Sequence, residues 1–331
     1  MSKPNQKTTK LSLKSYVQRN QGVIISSTAV LLLLIVYMVK SGKFLTPFQA
    51  KVLVNGGMAL AFASIGVSIV VITGGFDASV GSILGLVNVL AATMLMDKFP
   101  HDIFILIGLL FVGLFAGMIN GILVSVGKIQ SIIVTLAMMF VWTGVSLLVL
   151  NKPGGFIPTW YAKFFEGTIF NKFPVAIIWL ILLFIILFLF RNTKLSTFIY
   201  AIGSDEHSAL RSGINVVRTK IIAFSLAGLC YAVSGLFLSA QTTSGDPNIG
   251  APFLLTAFTA VVVGGTQFGG GRGSLIGSVF GAYIVTLLDS VLLSMGVTSY
   301  YTDIVQGSLL VLAVAVGTVV PRLINKFKKE H

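Results

Sequence analysis

A chain of 331 residues that is 55% hydrophobic and only 10% charged, with a mean hydropathy of +0.96, is not composed like a water-soluble domain, where about a quarter of the residues carry charge. Its net charge of +13 does not indicate nucleic-acid binding, because the Lys and Arg sit at the ends and in loops between apolar runs, where anionic lipid and membrane topology account for them. The lone cysteine, Cys230, excludes an internal disulfide, and His101, His207 and His331 are too scattered for a readable metal site.

The first residues, MSKPNQKTTKLSLKSYVQRN, are basic and precede a long apolar stretch without a convincing cleavage site. Residues 1–21 are therefore expected to be a cytoplasmic tail before a retained first span, not a signal peptide. A hydrocarbon core of about 30 Å takes roughly 20 apolar residues per helix. Candidate spans follow at about 22–40, 50–72, 80–96, 102–126 and 131–150, then 174–190, 219–239, 252–266, 274–294 and 303–320. The expected fold is an all-α membrane protein, a single transmembrane domain over 1–331 with about ten helices. Ten spans leave both termini on one side. Of the 23 Lys and Arg, only Lys40, Lys43, Lys51, Lys98, Lys152, Lys163 and Lys172 fall opposite, which makes the side of the termini cytoplasmic. The segment 252–266 is short for a crossing unless its helix begins before Pro252. A re-entrant segment there would move the C-terminus outside, against the basic tail at 321–331.

Two stretches resemble each other: VITGGFDASVGSILG (Val71 to Gly85) and VVGGTQFGGGRGSLIG (Val262 to Gly277). Each ends an apolar run in Gly-Gly and restarts a helix at Gly-Ser, so the two halves read as a parallel repeat. Gly-interrupted segments in matching places point to a transport path, since unwound backbone at membrane depth is tolerated only against protein or a water-filled cavity. The other reading is that small residues simply let helices pack closely. Gly74 and Gly75 belong to the first break. Asp77, beside them, either faces a cavity or a partner or, with Ser79, caps the helix that begins near Val80. Asn55, Asn120 and Thr135 are polar groups inside apolar runs, suited to a path or to an interhelical hydrogen bond.

The basic loop 191–218 holds AIGSDEHSALRSGI (Ala201 to Ile214). Ser204 is placed to cap a short helix, Asp205 and Glu206 complement its dipole, and Gly213 terminates it. About eight residues do not hold a helix alone in water, so this one has to dock, on the rest of the chain, on a separate protein or on the bilayer surface.

Four motifs together resemble the permease subunits of the ribose-type branch of bacterial ABC sugar importers, over nearly the whole chain. They are GGFDASVGS (Gly74 to Ser82), GMINGILV (Gly117 to Val124) with IIVTLA (Ile132 to Ala137), YAIGSDEHSALRSGI (Tyr200 to Ile214) and AVVVGGTQFGGGRGS (Ala260 to Ser274). The resemblance implies an ABC importer permease fold of about ten helices, working in the bacterial cytoplasmic membrane with a second permease subunit, a cytoplasmic ABC ATPase and an extracytoplasmic solute-binding protein. It also implies that the segment with Gly203, Ser204, Asp205, Glu206, Ala209 and Gly213 couples to the ATPase; Asn55, Gly74, Gly75, Asp77, Ser79, Asn120 and Thr135, singled out on their own chemistry, are the candidates for the translocation path.

The chain departs from the family pattern at Asp205-Glu206, where Asn-Pro is usual, at Leu210, which aligns with an arginine, at Gln130 and Ser131, and in GAPFLLTAFTA (Gly250 to Ala260), which lacks the usual acids. The expected cargo is a monosaccharide or similar small polar solute, with autoinducer-2 or a nucleoside as the alternative. No GxxxxGK[ST] exists and GGGRGS lacks the phosphate-loop lysine, so ATP and Mg belong to the partner ATPase and no cofactor is expected on this chain. A rival class is an ion-coupled secondary transporter using Asp77 as its proton or sodium site. An intramembrane enzyme lacks a nucleophile and base on facing spans.

Overall fold

The computed structural model describes residues 21–41, 46–170, 172–298, 301–302, 304–312 and 315. The expected tails therefore lie almost wholly outside the described residues, as does much of the expected span at 303–320. Helix α1 is Gln21–Ser41 and α2 is Pro47–Ile72. Helix α2 starts at a capping box: Thr46 Oγ1 accepts from Gln49 N, Gln49 Oε1 accepts from Thr46 N, and Pro47 supplies the preset first turn. Then come α3 (Val80–Met94), α4 (His101–Ser125) and α5 (Ser131–Val149). A loop carrying α6 (Thr159–Glu166) and a two-stranded antiparallel hairpin, β1 (Thr168–Ile169) with β2 (Phe173–Pro174), leads to α7 (Ala176–Arg191). The remaining elements are α8 (Lys194–Ser204), α9 (Glu206–Arg211), α10 (Val216–Thr242), α11 (Phe253–Val263) and α12 (Leu275–Ser294).

Among the described residues six helices are long and apolar enough to cross a membrane: α1, α2, α4, α5, α10 and α12. A seventh is counted if α7 and α8, bent by 70° at their junction, are one span. The expected count of ten is thus not reached among the described residues, which leave out much of 303–320. Helices α3 and α11 have 15 and 11 residues, or about 22 and 16 Å of rise, short of a 30 Å core. Both lie beside a glycine-containing break, and the backbone there runs as turns where a continuous helix would be needed. The segment expected at 252–266 is thus a helix beginning after Pro252 and ending before Gly264.

Helix α2 is the central post, with 89% of its most apolar window buried, and it packs on α10, α12 and α11. Helix α10 also packs on α4 and α3. These contacts are close because they run through glycine. A Cβ on Gly117 would overlap the carbonyl of Phe224, one on Gly228 that of Gly113, and one on Gly281 that of Ala260. In lipid, where apolar burial gives no drive for helices to associate, such backbone approach supplies the packing. The outer faces of α4, α5 and α7 expose Phe104, Phe140, Leu148 and Phe188, the surface expected toward hydrocarbon.

Candidate functional site

The break after α2 is built around Gly74, whose φ of +82° lies in the left-handed region that glycine enters without a steric penalty. Two of the backbone amides freed between Gly75 and Val80 are met by side chains of α5. Phe76 N donates to Ser131 Oγ at 3.0 Å and Ala78 N to Thr135 Oγ1 at 3.0 Å. Ser131 and Thr135, four apart at the start of α5, stand on one helix face and receive both.

Asp77 organises the rest. Its Oδ1 accepts from Ser79 N at 2.9 Å and from Ser79 Oγ at 2.6 Å, and its Oδ2 accepts the hydroxyl of Tyr231 at 3.1 Å. Asn120 Nδ2 on α4 donates to Ser79 Oγ at 2.8 Å. Asp77, Ser79, Asn120, Thr135 and Tyr231 are all fully buried, and Asn120 Oδ1 has no hydrogen-bond partner among the described residues. Four of the candidate path residues therefore meet in one polar node that joins the break to α4, α5 and α10. Neither Asp77 nor Ser79 caps α3 as expected: Ser79 stands at the N-cap position with no side-chain bond into the helix, and Asp77 closes a local turn onto Ser79 instead.

Tyr231 is the member that sequence reasoning missed. It sits in the apolar run of α10 and its partner is 154 residues away, so no local pattern marks it. Asn55 lies elsewhere, about 25 Å up α2 from Ile72. Its Nδ2 donates to the Glu166 carbonyl at 3.1 Å, and its backbone carbonyl accepts from Gln241 Nε2 at 3.3 Å. Asn55 Oδ1 and Glu166 Oε1 are buried there without a hydrogen-bond partner among the described residues. Burial pushes the Glu166 carboxyl up to about 7, against the opposing effects of Lys51, Asn55 and Gln241.

The second break has the same local form. Helix α11 ends at Val263, Gly265 takes a φ of +90°, and α12 starts with Ser274 Oγ accepting from Gly277 N at 3.2 Å. The two breaks touch. Gly271 N donates to Ile72 O at 2.9 Å, Ser68 and Thr266 hydroxyls are 3.3 Å apart, and Phe76 stacks on Phe258 with centroids 4.3 Å apart.

The coupling segment closes onto this contact. Gly203, near the end of α8, lies so near that a Cβ would overlap both Ile72 O and Gly271 N. The chain then turns sharply into α9. Its cap is Asp205, correcting the expectation of Ser204: Asp205 Oδ1 accepts from His207 N at 3.0 Å and Ser208 N at 3.2 Å, while Ser204 is still helical and gives its hydroxyl to Tyr200 O. Hydrogen bonds from Ser208 hold the Asp205 carboxyl below the usual carboxylate range. Helix α9 has six residues and stops at Gly213, whose φ is +83°. Glu206 pairs with Lys220 at 2.6 Å, which ties α9 to α10.

Ala209 faces inward onto Ile202 and Val216, and it is Leu210, 61% exposed, that points out. That outward side chain was registered in the sequence only as a departure from the family's arginine.

The long apolar helices, the two glycine breaks in contact and the buried carboxylate node define a multi-span membrane protein of the transporter class. The chain belongs to the family described as branched-chain amino acid transport system / permease component, whose model matches residues 51–314. It is 35% identical to the ribose import permease protein RbsC of Bacillus subtilis (strain 168) over 86% of this chain and 88% of that protein. It is 33% identical to the ribose import permease protein RbsC of Escherichia coli (strain K12) over 77% and 81%, and 31% identical to the D-allose transport system permease protein AlsC of the same organism over 84% and 82%. No solved structure matches the chain.

Proposed function

We propose that this chain is a permease subunit of an ATP-driven ABC importer that moves a monosaccharide or similar small polar solute inward by alternating access. The observation that carries it is the joint at Gly203: the exposed segment suited to an ATPase groove touches both glycine breaks directly. Relatives named for ribose and D-allose import support a sugar-type cargo. No residue is assigned a catalytic role, and a partner ATPase supplies ATP hydrolysis with its own ATP and Mg. A second permease subunit completes the path, and a solute-binding protein delivers cargo on the side of α6. In this reading the loop 191–218 and both tails are cytoplasmic, and about ten helices form one domain when α3, α11 and the region after 303 are counted as segments of the family fold. Gly74, Gly75, Asp77, Ser79, Asn120 and Thr135 form the gate of the path, closed by the hydrogen bonds that link Asp77, Ser79, Asn120 and Tyr231 and by that of Ala78 N to Thr135, while Asn55 belongs to its outer end.

The test is uptake of labelled ribose into proteoliposomes holding this chain with its ATPase and binding protein. Uptake that requires enclosed ATP and ignores proton and sodium gradients is the expected result. Uptake driven by an ion gradient without the ATPase would replace the importer with a secondary transporter.

A further inference from the structure

The body of α6 is fastened by aromatic packing. Tyr161 OH donates to Leu236 O at 2.7 Å, and Phe165 stands edge-on to Phe237 with centroids 4.9 Å apart and stacks on Trp179 at 5.7 Å. The last residue of the helix, Glu166, is held by polar groups instead. Its backbone carbonyl accepts from Asn55 Nδ2 of α2 at 3.1 Å, and the Asn55 carbonyl accepts from Gln241 Nε2 of α10 at 3.3 Å. The hairpin that follows α6 also rests on α2 through β2.

Two acceptors are left over at this junction. Asn55, only 4% exposed, has its Oδ1 without a hydrogen-bond partner among the described residues, and so has Glu166 at Oε1. Each has given up water for nothing, which is costly. They are neighbours, because the other end of the Asn55 amide sits on the carbonyl of Glu166 itself and that amide acts on the carboxyl as well. A proton on Glu166 Oε1 removes both deficits at once: that oxygen becomes a donor, and Asn55 Oδ1 is the acceptor beside it. Burial pushes the Glu166 carboxyl up to about 7, so the proton is available near neutrality.

The surrounding charges leave this proton as the variable. Lys51 on α2 acts on the carboxyl and opposes the effect of burial. Lys163 on α6 and Lys172 in the hairpin are exposed, and Tyr161 is engaged with Leu236. Arg191 ends α7, and Arg218 and Lys220 begin α10, each at the end of its helix away from Glu166. Cys230 and Tyr231 lie about three turns along α10 from Gln241. On α12, which packs on α2, Tyr283 OH donates to Val54 O and Asp289 accepts from Gln306.

We infer that Glu166 is a protonation site that clasps the end of α6 and its hairpin to α2, with the proton shared between Glu166 and Asn55. Loss of the proton leaves two acceptors side by side and loosens the cover that α6 forms over Asn55. In the orientation proposed above, the pH sensed is that outside the membrane; this last consequence rests on the importer reading, and the clasp itself does not.

The test is hydrogen exchange of the full chain in detergent, read by mass spectrometry between pH 5 and 8 and corrected for the intrinsic dependence of exchange on pH. The reporting peptides cover 163–175, where Gly167 N donates to Lys163 O at 2.8 Å and Val175 N to Gly167 O at 2.9 Å. The carboxyl is raised from 4.5 to about 7 in the folded state, so the proton's contribution is whole below the first value and is lost as pH rises through the second. Protection in the wild type is expected to fall by about tenfold or more across that interval. Glu166→Gln carries a permanent donor of the same shape and is expected to keep protection high at every pH. Asn55→Leu removes the acceptor and is expected to lower protection at pH 5, alone and combined with Glu166→Gln. A flat wild-type profile overturns the clasp in favour of a trapped water, which would serve both oxygens at any pH. A Glu166→Gln profile that falls like that of the wild type overturns it by placing the titrating group elsewhere. Wild-type protection at pH 5 in Asn55→Leu overturns the shared proton; if that variant does not fold, the comparison of Glu166→Gln with the wild type decides.

Discussion

The hydroxyl of Tyr231 on α10 donates to Oδ2 of Asp77 at 3.1 Å, with both side chains wholly buried. Oδ1 of the same carboxylate is engaged by Ser79, so Tyr231 is what satisfies the other oxygen. Tyr231→Phe leaves that oxygen buried without its donor, which costs about 1–3 kcal/mol. The expected outcome is a lowered unfolding midpoint in detergent, with a smaller loss for Asp77→Asn, which keeps the shape of the side chain. An unchanged midpoint in Tyr231→Phe would show that Asp77 is satisfied in some other way.

Gly203→Ala places a methyl group where Ile72 O and Gly271 N now stand. The coupling segment must then move off the two breaks while its outward face is untouched. The expected phenotype is continued ATP hydrolysis by the assembled transporter with solute uptake lost, read by phosphate release and labelled-solute accumulation in the same vesicles. Loss of both activities together would place the defect in assembly.

Leu210 is the exposed apolar side chain of α9. Leu210→Asp is expected to weaken ATPase association by about tenfold or more, as for an apolar anchor at an interface, with the midpoint of the isolated permease unchanged. Pull-down of the ATPase over a concentration series measures it. Ala209→Arg, in contrast, would disrupt the small cluster with Ile202 and Val216 and lower the midpoint itself.

Glu166 has a folded-state carboxyl raised from 4.5 to about 7 by burial. The folded state therefore binds its proton more tightly than the unfolded state, and stability falls as pH rises between those two values. Above about 7 the group is ionised in both states and the whole penalty is present. Glu166→Gln removes the penalty, so the variant is expected to melt higher than wild type at pH 8, by a few degrees at most, with the gap closing by pH 4.5. A gap that does not depend on pH would remove ionisation as the cause.

Most of the helices were legible in the sequence because each apolar run carries its own length and its own stop. Gly74, Gly213 and Gly265 marked turns correctly, since a positive φ favours glycine on local grounds. The count of full spans was not legible. The runs at 80–96 and 252–266 have the hydropathy of spans, but their helices hold only 15 and 11 residues, each bordered by a glycine-containing turn. Asp77, Ser79, Asn120 and Thr135 stood out as polar residues in apolar runs. That they share one node, that Asn55 does not join it, and that Tyr231 does, depends on which helices face each other. The cap at Asp205 in place of Ser204 was equally hidden: both side chains are competent caps, and the choice depends on α8 running through Ser204.

The bond from Gly271 to Ile72 ties the end of α2 to the loop before α12, and Gly203 rests in the angle between them. Three segments wedged at one point share a single hinge, and none can swing without displacing the other two. Fluorescent labels placed separately beside Gly74 and beside Gly269 would therefore report the same rate constant during turnover, and a substitution that slows one reporter would slow the other equally.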